Sequence, residues 1–275
     1  MSVNQSTQGV QGFFATHPVF TVAEFAKWHG SRRATRERTV EALLGYHTKC
    51  GHLAPIRKGL YAVAPPGSTA SSAAIDPFLI AGKLTGDAVL AYHTALEFHG
   101  KAHTPTHEFL YLTNVGARTL EFRGQRFKAV RPPAALRLKR AELFGVLDAE
   151  RMGLELRVTG LERTMVDVLA RPHLGGGWEE IWRSLEGVEF FEIRVVTEYA
   201  LLLGNATTIA KVGFFLEQHK EPLMVEDRHL DPLRRHSPRV PHYFSRGDRR
   251  SGKVVAGWNL VVPPEILERR WQEIP

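Results

Sequence analysis

The chain of 275 residues contains a single cysteine, Cys50. One thiol excludes an internal disulfide framework and a thiolate zinc cluster. Cys50 sits near the end of a helical pattern and is expected to be a packing residue. No run of about 18 apolar residues occurs, and the N-terminus has no charged start followed by an apolar core, so neither a membrane span nor a secretory signal is expected. The expected location is the cytoplasm. Short catalytic motifs are missing as well: there is no G-x-S-x-G, no P-loop, and no G-x-G-x-x-G after a strand. No internal repeat is evident. What is present is the composition of an ordinary folded protein, 43% hydrophobic and 24% charged, with a net charge of +7 and a pI near 9.7. The positive excess favours polyanionic partners, and the length accommodates two domains.

Location says more than the total. Residues 1–66 hold eight Lys or Arg against three carboxylates. A second basic block, Arg118 to Arg140, includes Arg118, Arg123, Arg126, Lys128 and Arg131 against only Glu121. A third runs from Arg228 to Lys253.

The stretch from Thr21 to Val63 organises the first block. Thr21 with Glu24 three residues on has the spacing of a reciprocal capping box, and Val22, Phe25, Ala26 and the stem of His29 fall on one helical face. Gly30 ends that helix. A second helical pattern begins at Ser31 or Thr35 and places Val40, Leu43, Leu44 and His47 inward. Arg32, Arg33, Thr35, Arg36 and Arg38 crowd its N-terminal end, where a recognition helix meets DNA. After Gly51 the period changes to two, and Leu53, Ile56, Leu60, Tyr61 and Val63 suit a hairpin with Arg57-Lys58-Gly59 at its tip. The tip cations are expected to face outward, so that helix and hairpin grip phosphates on both sides of a groove. This reads as a winged helix-turn-helix. The bland alternative is a small helical unit with solvated charges.

Ser2 to Gln11 is polar and expected to fray, with Val10, Phe13 and Phe14 able to start a helix. Pro65-Pro66-Gly67-Ser68 with Thr69, Ser71 and Ser72 is the best linker candidate, which gives two domains, 1–66 and 67–275. The second is expected to be α+β: a mixed, mainly antiparallel sheet with helices on one side. Helices are expected from Asp76, which caps, and from Asp87 through Phe98, with Asp87 as its cap. Strands are expected over Glu108–Thr113, Thr119–Val130, Leu143–Leu147 and Leu154–Val158. The stripe Leu161, Met165, Val166, Val168, Leu169 is helical, and three further helices follow over Trp178–Leu185, Arg194–Leu203 and Thr207–His219. The tail, with its prolines, reads as irregular except for strands near His242–Ser245 and Val254–Val261.

Candidate chemistry is sparse. His93 and His99 stand six apart, which is not a helical neighbour spacing for paired metal ligands, and neither they nor His103 and His107 belong to an H-E-x-x-H motif. Gly175-Gly176-Gly177 before a helix could cradle a phosphate but lacks the following Lys and Ser/Thr. A metal-dependent nuclease needs converging acids; Glu162 and Asp167, five apart, point to different faces, and Glu179 and Glu180 diverge. No catalytic residue, metal site or cofactor is assigned.

Three blocks together resemble a known family: Ile56-Arg57-Lys58-Gly59-Leu60-Tyr61-Ala62-Val63, Gly86 to Leu96 (GDAVLAYHTAL), and Gly160 to Leu169 (GLERTMVDVL) followed by Pro172 and Gly175-Gly176. They are similar to the AbiEi-type antitoxins of bacterial type IV toxin-antitoxin systems, over nearly the whole chain to about Glu221. The resemblance implies a repressor that binds inverted repeats in its own promoter through the winged helix. It also implies a C-terminal domain that counteracts a nucleotidyltransferase-fold toxin without necessarily forming a stable complex, in abortive infection by phage. It places the recognition helix at Arg32, Arg33, Thr35, Arg36 and Arg38 and the wing at Arg57 and Lys58. With no apolar heptad for dimerisation, the expected state is a monomer that pairs on the repeat; a stand-alone regulator without a toxin would read the same.

Overall fold

Val10, Phe13 and Phe14 are fully apolar anchors in a sequence otherwise polar up to residue 11, and they hold its first helix in place. In the computed structural model, which describes residues 2–30, 37–65, 67–245 and 252–269, helix α1 runs Ser2–Thr16. It therefore starts well before the apolar residues, where fraying was expected. Strand β1 (Val19–Thr21), helix α2 (Val22–Gly30), helix α3 (Glu37–Lys49) and the hairpin β2 (Leu53–Arg57) and β3 (Leu60–Val63) follow. The three strands form an antiparallel sheet in the order β1-β3-β2. One face of this sheet and the three helices enclose Phe13, Phe14, Phe20, Phe25, Val40, Leu44 and Leu53. Phe13 meets Phe20 and Phe25 edge-on, each with ring centroids 5.2 Å apart, a geometry worth about 0.5–1.5 kcal/mol per pair beyond burial.

The remainder is α+β. Helix α4 (Pro77–Lys83) is capped by Asp76, whose Oδ1 accepts from the backbone N–H groups of Phe78 and Leu79 at 2.9 and 3.4 Å. Then come β4 (Val89–Leu90), α5 (His93–Phe98), β5 (Glu108–Leu112), β6 (Leu120–Phe122), β7 (Gln125–Val130), α6 (Ala134–Lys139), β8 (Val146–Arg151) and β9 (Leu154–Thr159). Helices α7 (Leu161–Ala170), α8 (Trp178–Glu186), α9 (Ile193–Leu203), α10 (Ala206–Gln218) and α11 (Asp227–Arg235) pack together. Strands β10 (His242–Tyr243), β11 (Lys253–Val255) and β12 (Leu260–Val262) and the short helix α12 (Pro264–Leu267) complete the described chain.

The large sheet has the order β6-β7-β5-β4-β9-β8. It is mixed, as expected: β4 and β5 pair antiparallel at its centre and the hairpins β6–β7 and β8–β9 are antiparallel at the edges, while β5 pairs with β7 and β4 with β9 in parallel. The parallel pairing of β5 with β7 follows from β6, which takes the outer edge and returns β7 alongside β5. Helices are not confined to one side. The run Phe109-Leu110-Tyr111-Leu112 is buried on both faces, as an apolar run without alternation requires. Phe109 and Tyr111 face a layer shared with α4 and the back of the N-terminal sheet, while Leu110 and Leu112 face the C-terminal helices.

The expected helix from Asp87 to Phe98 is divided. Val89 and Leu90 form the strand at the sheet centre, and Tyr92 turns the chain into α5 with φ +57° and ψ −133°, a conformation that costs a side-chain-bearing residue on the order of 1–3 kcal/mol. Asp87 caps no helix; it accepts from the Thr113 hydroxyl and the Asn114 N–H at 2.5 and 2.7 Å. The strand expected at Leu143–Leu147 lies three residues further on, as the polar edge strand β8.

Candidate nucleic-acid interface

Thr21 and Glu24 form the capping box that their spacing predicts. The Thr21 N–H donates to Glu24 Oε2 at 2.7 Å, and the Glu24 N–H donates back to the Thr21 hydroxyl at 3.2 Å. The same carboxylate accepts from the Lys83 ammonium of α4. Burial raises the Glu24 pKa, but the Lys83 ammonium and the two Thr21 donors outweigh it and hold the carboxyl below its ordinary range. Folding therefore favours the ionised form. The stabilisation is complete above the ordinary glutamate range and is lost as pH falls through the lowered value. Glu24→Gln should flatten the acid limb of the stability curve, read as urea midpoints over about pH 3–6; an unchanged limb would remove Glu24 from the acid response.

α3 is set by Val40, Leu44 and His47, all buried, with Leu43 half-buried. Its outward face carries Ala42, Gly45 and Tyr46, the last 62% exposed. Tyr46 was not singled out from the sequence; its spacing from the buried set, one before His47, was the available signal. Arg38 is the second residue of α3, whereas Arg32, Arg33, Thr35 and Arg36 lie outside the described residues. Cys50, expected to pack, is exposed.

The hairpin turns at Lys58-Gly59, where Gly59 has φ +81°. Its two cations do not both face outward. The Arg57 guanidinium bends back and donates to the Leu84 carbonyl at the end of α4, and only Lys58 remains a free-standing exposed charge. The second basic block is likewise not one patch. Arg123, expected with Arg118 and Arg126 to hold DNA phosphates, donates to the carbonyls of Ala70 and Ala73. Arg126 is exposed but lies 3.7 Å from Glu108 and 3.9 Å from Glu121. Arg118 is exposed in the β5–β6 connection. In the third block Arg234 pairs with Glu217 at 2.7 Å, Arg228 with Glu226 at 2.8 Å, and Lys253 with Glu268 at 3.1 Å, while Arg235 and Arg239 are exposed and Arg246, Arg249 and Arg250 lie outside the described residues.

Among the described residues no group of three or more His, Cys, Asp or Glu is placed to hold a metal ion. A His93 ring nitrogen lies 3.1 Å from Glu180, and His99 donates to the Thr159 carbonyl at 2.9 Å. Two of the three glycines answer to close packing, since a Cβ on Gly175 would stand 2.8 Å from Ile181 and one on Gly176 2.6 Å from Glu180, while Gly177 has open space and a φ of +96°. Glu162 and Asp167 diverge, Glu162 accepting from the Glu192 N–H at 3.2 Å and Asp167 lying in the core beside Arg163.

No family model and no curated protein matches the chain. Among solved structures it is similar to the RV2827C protein from Mycobacterium tuberculosis, with a TM-score of 0.62 and 18% identity over 97% of this chain and 94% of that one. At that identity the likeness is one of fold. It extends through both the N-terminal unit and the large sheet, so the two parts recur together. Among the described residues no helix is long and apolar enough to cross a membrane.

Proposed function

We propose that the chain is a DNA-binding transcriptional repressor whose N-terminal unit works as a winged helix-turn-helix, and that its second domain serves as the antitoxin of a type IV toxin-antitoxin pair. The observation that carries the DNA-binding part is the order helix-strand-helix-helix-hairpin on one three-stranded sheet, with α3 following α2 and an exposed cation at the hairpin tip. In that arrangement α3 enters the major groove and the tip reaches a neighbouring phosphate. The antitoxin part rests on the sequence blocks shared with the AbiEi-type family. The partners are double-stranded DNA carrying inverted repeats and a nucleotidyltransferase-fold toxin.

The test is a gel-shift titration of the purified chain on its own upstream region and on a scrambled duplex. Specific binding should exceed nonspecific binding by about a thousandfold. Lys58→Ala should weaken binding to both duplexes and reduce the salt slope by about one. Arg57→Ala should reduce the slope less than Lys58→Ala, because that guanidinium is turned toward the Leu84 carbonyl. Equal affinity for both duplexes would end the repressor reading. An unchanged slope in Lys58→Ala would end the assignment of the hairpin as a wing.

A further inference from the structure

Where β7 and α7 end side by side, the surface opens into a cavity of about 700 Å³, within the range of small-molecule sites. Its cationic side chains come from distant parts of the chain: Lys128 and Arg131 from β7 and its exit, Arg171 and His173 from the turn after α7, and Lys211 from α10. None of the described residues that line it is Asp or Glu. Bringing Lys128, Arg131 and Arg171 to one cavity costs mutual repulsion, which an anion in the cavity would reverse.

The contacts that Arg131 and Arg171 already make do not cancel their charge. Arg131 donates to the Asn114 carbonyl at 3.1 Å, and Arg171 donates to the Tyr92 hydroxyl at 3.2 Å and the Arg131 carbonyl at 3.3 Å. These acceptors are neutral. Lys211 donates to the Leu169 carbonyl at 3.3 Å, and its ammonium lies 5.2 Å from the centre of the Phe244 ring. Lys128 has Glu108 at 3.9 Å and is only partly offset. A single carboxylate would balance one charge of this set. A diphosphate balances several and matches the planar fork of each guanidinium.

We infer that this cavity binds a small phosphorylated molecule of nucleotide size, its phosphates against Arg131 and Arg171 and its apolar part against the wall that includes Phe244. The site is separate from α3 and the hairpin tip, and it stands whether or not the chain represses transcription. The experiment is isothermal titration of the full chain with inorganic pyrophosphate, ADP and adenosine at about 0.15 M salt. Pyrophosphate and ADP should bind saturably and adenosine should not. Arg131→Gln, at an exposed position held by one neutral bond, should weaken pyrophosphate by at least about tenfold with an unchanged melting curve. Lys128→Gln should weaken it in the same direction, and Lys58→Ala should have no effect. Absence of saturable pyrophosphate binding at millimolar concentration would overturn the inference, as would native affinity in both Arg131→Gln and Lys128→Gln. Displacement of pyrophosphate by a DNA duplex would overturn it too, by showing that the cavity holds nucleic-acid phosphates rather than a small ligand.

Discussion

Asp167→Ala should lower the unfolding free energy by about 3–5 kcal/mol, the range for a buried ion pair broken from one side. Arg163 and Asp167 stand one turn apart on α7, their side chains 0% and 1% exposed, with Arg163 Nε 3.3 Å from Asp167 Oδ2. The other carboxylate oxygen accepts from the Tyr199 hydroxyl of α9 at 2.7 Å. Arg163 Nη1 also donates to the carbonyls of Glu142 and Phe144, at 2.7 and 2.6 Å. Removing the carboxylate would strand a guanidinium charge and a phenolic donor where water cannot reach them. Urea denaturation reads the loss. Pairing Asp167→Leu with Arg163→Met should return much of it, since apolar groups of similar volume often replace a buried pair without penalty. Strict additivity of the two changes would show that the residues are not coupled.

Trp258→Ala should be of similar size, about 3–5 kcal/mol. The indole is fully buried and its N–H donates to Glu217 Oε2 at 2.7 Å. Its ring lies directly on Gly213 in the middle of α10, so close that a Cβ there would stand 2.1 Å from it. This contact inverts the usual rule for a helical glycine. In an open helix Gly→Ala gains about 0.5–1 kcal/mol, whereas Gly213→Ala should be destabilising by about 1–3 kcal/mol through overpacking. Placed in the Trp258→Ala protein, the same Gly213→Ala change should become neutral or stabilising. Thermal melts of the four proteins would separate propensity from packing, and a destabilising Gly213→Ala in both backgrounds would refute the contact as the cause.

Features set by short-range chemistry were legible in the sequence. The Thr21–Glu24 box, the Asp76 cap, the stripe from Leu161 to Leu169 and the turn at Gly59 each depend on residues within one or two turns of chain. The segment from Asp87 to Leu90 was not legible, because an apolar stretch buried all round has no periodicity to distinguish strand from helix. The direction of β7 depends on where β6 lies, a matter of long-range order that local pattern does not contain. The arginines show the same limit at the candidate site. Arg57 and Arg123 read as available charges because their acceptors, Leu84 in one case and Ala70 and Ala73 in the other, are carbonyls 27, 53 and 50 residues away. A backbone acceptor leaves no trace in composition. Arg38 retains its place on α3, and Lys58 its exposure.

Those same carbonyl contacts have a mechanical meaning. Arg57 on Leu84, Lys83 on Glu24, Arg123 on Ala70 and Ala73, and the apolar layer between the small sheet and α4 tie the two parts together at several points. The tip that carries Lys58 is thereby anchored, one residue away, to the end of α4.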